Sequence, residues 1–264
     1  MTEFLSGIPP VWLSVIASLF TWGVTALGAA TVFFFKTVNR KVLDAMMGFS
    51  AGVMIAASFW SLLSPAIDLS ETLGYIPWLW PAVGFLVGGL FVVGASKLLD
   101  RAIEFKDEHK NRSVKRSIML VSSITLHNIP EGLSVGVAFG AMSLDIPGCE
   151  VVGALLLALG IGIQNFPEGV SVALPLRREG LSRAKSFFYG QASGFVEPIA
   201  SIIGYFLATA MRAVLPFALS FSAGAMICVV CSELIPEANE HKNLAVIGCI
   251  VGFLVMMILD VALG

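Results

Sequence analysis

Residues 49–55 read FSAGVMI and residues 221–227 read FSAGAMI, six identities in seven at a separation of 172. The likeness continues to Leu62 and Leu234 and to Ala66 and Ala238. Each copy lies inside a long apolar stretch, and 57% of the 264 residues are hydrophobic against 13% charged. Soluble domains carry roughly a quarter charged residues, so a water-soluble fold of this composition would have no surface to present. The solvent for most of the chain is lipid.

A membrane-spanning helix needs about 20 mostly apolar residues. Eight such stretches are found, at about 11–35, 42–64, 78–99, 117–140, 151–175, 186–210, 215–236 and 243–263. The first is too long for the apolar core of a signal peptide and lacks a basic leader, so it is expected to remain as a span. The loops after spans 1, 3, 5 and 7 collect 15 of the 16 Lys and Arg residues, and Arg212 alone falls on the other face. The positive-inside rule then places those loops in the cytoplasm and both termini outside it. Glu3, Asp68, Glu71, Asp145 and Glu150 on the opposite face would attract cations if they are more than solvated loop residues.

In that topology spans 2 and 7 run in opposite directions. The expected fold is therefore an all-α membrane protein, a single transmembrane transporter domain over residues 1–264. Its eight helices would form a 3+2+3 arrangement, with inverted repeats in spans 1–3 and 6–8 and a cytoplasmic loop at about 100–116. Inverted repeats are a mark of secondary transporters, whose sites lie near the midplane at interrupted helices. Small-residue helix interfaces can resemble each other by composition alone. Six identities in seven at matched positions weigh against that explanation.

The central pair of spans carries the chemistry. Span 4 contains HNIPEG at 127–132 and span 5 contains QNFPEG at 164–169, each followed by Ser-Val after one further residue. A carboxylate at mid-membrane costs about 2.5–3.5 kcal/mol on insertion scales, so Glu131 and Glu168 need partners. No Lys or Arg is near them in sequence. His127, Asn128 and Glu131 share one helix face by their i, i+3 and i, i+4 spacing, as do Gln164, Asn165 and Glu168. Pro130 and Pro167 delete one backbone bond each and free the carbonyls of Leu126 and Ile163. Facing each other, the motifs would offer an imidazole, two carboxylates and three amides, a nitrogen–oxygen set suited to borderline divalent ions. A proline kink with a protonated Glu explains a single copy well; two tandem copies favour a cation.

Glu197 precedes Pro198 in span 6 and is the best candidate for completing the site. Met54 could add a soft thioether, although membrane methionines are mostly packing residues. Ser61 and Asp68 on one side, and Glu233, Glu237 and His241 on the other, are candidate pathway residues, each with an ordinary packing or interfacial explanation beside it. Cys228 and Cys231 form a CxxC inside an apolar helix and read as packing. His109 sits in a charged loop and reads as solvated.

On these residues the chain resembles the ZIP (ZRT/IRT-like) family of metal transporters, in particular its GufA-type branch. The resemblance rests on HNIPEG, QNFPEG, GFVEP at 194–198 and the two FSAG segments. It implies a two-metal centre that passes divalent metal toward the cytoplasm. One site would use His127, Glu131, Gln164 and Glu168, with Met54 as an additional ligand. The other would use Asn128, Glu131, Asn165, Glu168 and Glu197, and Glu131 and Glu168 would bridge. Many relatives carry histidine where Gln164 stands, and an amide oxygen is a harder, weaker zinc ligand, so selectivity turns on this position.

The expected function is transport of Zn²⁺ and similar ions (Cd²⁺, Fe²⁺, Mn²⁺) across the plasma (inner) membrane, with no resident cofactor and no enzymatic activity. Metal must displace protons from carboxylates, which predicts pH-dependent flux. No P-loop is present, so ATP is not expected as a partner; nucleic acid is not expected either. The bilayer is a partner by necessity, and a homodimer is compatible with the sequence. Two rivals use the same residues. A proton or alkali-cation carrier would need no histidine beside its carboxylates. An intramembrane metalloenzyme would want H-E-x-x-H or a similar signature, which is absent.

Overall fold

The computed structural model describes residues 7–35, 39–106, 112–144, 151–210 and 212–263. Glu3, Lys36, His109, Lys110, Asp145, Cys149 and Glu150 lie outside the described residues. Within them the chain is helical and no strand is present. The eight helices are α1 (Pro10–Ala30), α2 (Arg40–Thr72), α3 (Leu79–Lys106), α4 (Arg112–Met142), α5 (Val151–Arg178), α6 (Arg183–Ala210), α7 (Leu215–Glu237) and α8 (Lys242–Leu263). Among the described residues, seven are long and apolar enough to cross a membrane. The eighth, α4, carries the polar run from His127 to Glu131.

The ends differ from the expected spans. Helix α2 runs to Thr72 and α3 to Lys106, and α4 begins at Arg112, so most of the segment expected as a loop at 100–116 is helical. Hydropathy marks where a helix leaves lipid, not where its hydrogen bonding stops. Inside α2 and α7 the pitch widens into π-helical turns at Ser58–Leu63 and Val230–Leu234. These turns are separated by the same 172 positions as the FSAG segments. Helix α6 is interrupted at Phe195, between Arg183–Gly194 and Val196–Ala210. Pro198 accounts for the break, because it has no N–H to give the carbonyl of Gly194.

Four helix pairs dominate the packing: α2 with α8, α3 with α7, α1 with α5, and α4 with α6. Exchanging α1 for α6, α2 for α7, α3 for α8 and α4 for α5 maps this set onto itself. The FSAG glycines show why. A Cβ on Gly52 would stand 2.0 Å from the carbonyl oxygen of Cys249 on α8, and one on Gly224 would stand 2.0 Å from that of Phe85 on α3. Only glycine lets backbones approach so closely. Helices α3 and α8 leave most of their surface outward, through residues such as Leu86, Leu90, Ile250 and Leu254. The buried polar side chains instead lie on α1, α2, α4, α5 and α6, with Ser220 and Ser222 on α7.

Candidate metal centre

The Asn-x-Pro-Glu-Gly segments bring α4 and α5 against two different neighbours by one device. A Cβ on Gly132 would stand 2.4 Å from the carbonyl oxygen of Glu197 on α6. A Cβ on Gly169 would stand 2.1 Å from that of Thr25 on α1. Each motif glycine therefore seats its helix directly on a partner. The asparagines repeat the pattern. Asn128 Nδ2 donates to the carbonyl of Ser193 at 2.8 Å, and Asn165 Nδ2 donates to that of Thr21 at 3.2 Å. Thr21 and Ser193 are separated by 172 positions, and so are Thr25 and Glu197.

The three carboxylates lie together in this polar core. Glu131 and Glu197 are fully buried and Glu168 nearly so, and they are close enough to repel one another. Amides contact two of them. Gln164 Nε2 donates to Glu131 Oε1 at 2.7 Å, and Asn165 Nδ2 lies 2.9 Å from both carboxylate oxygens of Glu197. Thr25 Oγ1 donates to Glu197 Oε1 at 3.5 Å. No three His, Cys, Asp or Glu side chains converge on one point among the described residues, so any multi-ligand site must include the amides.

Five oxygens of these motifs are buried without a hydrogen-bond donor: Asn128 Oδ1, Glu131 Oε2, Gln164 Oε1, Asn165 Oδ1 and Glu168 Oε2. Buried polar atoms are normally paired, and each unpaired one costs about 1–3 kcal/mol. A concentration of orphaned acceptors with no Lys or Arg among them is an arrangement suited to a cation.

His127 is also buried, and it meets α7. Its Nε2 lies 3.7 Å from Glu233 Oε1 on α7. His127, Glu168, Glu233 and Glu237 line one cavity of about 60 Å³, with Met47, Ser123 and Ser171 among its walls. That is room for a few waters. Glu237 is exposed, so the cavity leads from the buried motifs to the end of the span shared by the start of α2 and the α7–α8 turn.

The remaining expected residues have other surroundings or contacts. Met54 is fully buried in the hydrophobic core, and Met47 is the methionine that lines the cavity. Ser61 donates to Asp260 on α8 at 2.8 Å, far along α2 from the cavity, and Asp68 is exposed. His241 turns to Asp44: its backbone N–H and Nδ1 lie 2.7 and 3.0 Å from Asp44 Oδ2. Arg40 holds Asp44 Oδ1 at 3.0 Å and Glu237 Oε1 at 3.1 Å, tying α2 to the end of α7.

Asp44, Asp260, Thr21 and Thr25 were not among the expected site residues. Asp44 and Asp260 were visible as lone acids within apolar runs. The threonines emerged only from their contacts, and the 172-residue shift sets Thr25 on Glu197.

A family model described as "ZIP Zinc transporter" matches residues 102–260. The chain belongs to the ZIP zinc transporter family. It is 41% identical to zinc transporter ZIP11 of Xenopus tropicalis over 98% of this chain and all of that protein. It is 34% identical to zinc transporter GufA of Myxococcus xanthus, over 95% of this chain and 98% of that one. Zinc transporter ZIPB of Bordetella bronchiseptica is 35% identical over 96% of this chain and 82% of its own length. The GufA-type likeness expected from the motifs is thus shown, and the chain is a multi-pass membrane protein of the ZIP family.

Proposed function

We propose that this chain carries Zn²⁺, and with it Cd²⁺, Fe²⁺ and Mn²⁺, across the plasma membrane into the cytoplasm through a binuclear site between α4, α5 and α6. The observation that carries the reading is the set of five donor-less buried oxygens on the twin motifs. Rotation of the Gln164 and Asn165 amides would withdraw their N–H groups from Glu131 and Glu197 and turn oxygen toward an ion. His127 and Glu168 border the solvent-reaching cavity, so one ion position would communicate with it through the imidazole. Glu131 and Glu168 would bridge the two positions, and Asn128, Asn165 and Glu197 would complete the second. The ion would then leave past Glu233 and Glu237.

The matched packing of the helices supports inverted repeats of α1–α3 and α6–α8 around the central pair. The distribution of Lys and Arg supports termini outside the cytoplasm. With that orientation the cavity at Glu237 faces inward. The named activities of the relatives favour a transporter over an intramembrane metalloenzyme, and the imidazole beside the carboxylates favours a transition metal over Na⁺ or H⁺ alone.

The test is metal flux into proteoliposomes, with each of the four ions at neutral and acidic pH. Native protein should take up Zn²⁺, more slowly at acidic pH, where protons compete for the carboxylates. Glu168→Ala should abolish uptake and still elute as a folded, monodisperse species. Normal zinc uptake by that variant, or Na⁺ flux that Zn²⁺ does not compete with, would overturn the assignment.

A further inference from the structure

A second cavity, of about 310 Å³, lies away from the metal centre, between α4, α6 and the first turns of α7. We propose that it holds the acyl chain of a membrane phospholipid. Its walls include Val137, Leu207, Phe217 and Phe221, and the polar side chain among them is Ser222, itself 1% exposed. A water molecule needs two to four polar partners, so this cavity does not retain water. Its rim opens sideways: Leu207 is 57% exposed and Val214 39%, on helices whose outward faces meet hydrocarbon. The turn Arg212–Val214 closes one end, where α6 and α7 leave the span. That is the level of lipid headgroups, and Arg212 is the single basic residue the sequence places on that side.

The shape also selects the occupant. A helix is about 10–12 Å across with its side chains. A helix of a second copy would therefore not enter a 310 Å³ slot between α6 and α7, whereas a single hydrocarbon chain would. The slot lies on the seam between the α4–α6 pair, which carries Asn128, Glu131 and Glu197, and α7, which carries Glu233. Val137 is less than two helical turns from Glu131. The chain held there is a wedge between the metal-bearing pair and α7, continuous with the bilayer.

The experiment reconstitutes the full-length protein in bilayers doped with a phosphatidylcholine bearing a diazirine in mid-chain, irradiates them, and maps adducts by mass spectrometry. Adducts should be severalfold denser at Val137, Phe217 and Phe221 than at Ile250 and Leu254 on the outward face of α8. Filling the slot with Ala218→Phe should reduce the first set and leave the second unchanged. Ala210→Phe, at the exposed rim, carries the same test if the deeper variant does not remain monodisperse. Equal labelling of slot and α8 face, labelling insensitive to either filling variant, or cross-linking of one copy to another through Leu207 would each overturn the proposal. None of these readouts depends on metal transport.

Discussion

Gln164 donates its side-chain amide hydrogen to Glu131 across the α4–α5 contact, at 2.7 Å, and leaves its Oε1 without a donor. The glutamine thus acts as a neutral plug on a buried carboxylate, with its acceptor turned aside. Replacing it by histidine should exchange a hard oxygen for an imidazole nitrogen. Gln164→His is expected to raise preference for Zn²⁺ over Mn²⁺ severalfold, read from competition in a flux assay. An unchanged preference would show that Gln164 is not a ligand.

Glu197 is held by Asn165, by Thr25 and by its place in the first turn after the break in α6. Glu197→Gln keeps the shape and removes the charge. Uptake should drop by at least about tenfold if that carboxylate contributes at least about 1.4 kcal/mol to holding the ion at the transport step. Circular dichroism and elution volume should not change.

Gly132 and Gly169 meet neighbouring backbone, which cannot yield as a side chain can. Either Gly→Ala change should destabilise by about 1–3 kcal/mol or more. A lowered melting temperature in detergent checks this. The matched positions predict similar losses for the two, and a neutral Gly169→Ala would argue against the tight α1–α5 seat.

Asp44 is fully buried between Arg40 and His241. Arg40→Ala would leave Asp44 Oδ1 unpaired, with Oδ2 still on His241, at a cost of about 1–3 kcal/mol, below the figure for a fully dry pair because Arg40 is partly exposed. The double change Arg40→Ala with Asp44→Ala should cost less than the sum of the two single changes, measured as a mutant cycle of melting temperatures.

Glu233 stands opposite His127 at the cavity wall. Glu233→Gln should slow release toward the cavity, seen as lower flux with undiminished metal retention by the purified protein. Equal loss of retention and flux would place Glu233 in the binding site itself.

Much of this was written in the residue order. Lipid solvation forces long apolar helices, so composition alone determined the fold class. The twin N-x-P-E-G runs marked α4 and α5, because a mid-membrane carboxylate is too costly to keep without a purpose. The repeat at 172 positions was legible in the two FSAG segments, but that the same shift sets Thr25 against Glu197 emerged only from the contacts. Partnerships were another matter. Sequence spacing put His127 on one face with Asn128 and Glu131, but did not say that the imidazole meets Glu233 or that Glu131 accepts from Gln164. His241 stood near Glu237 in the chain and pairs with Asp44 instead. Spacing along one helix determines which side chains share a face, but which atom each one meets depends on helices hundreds of atoms away in the chain. Only their close packing, through glycines that let backbones touch, decided that.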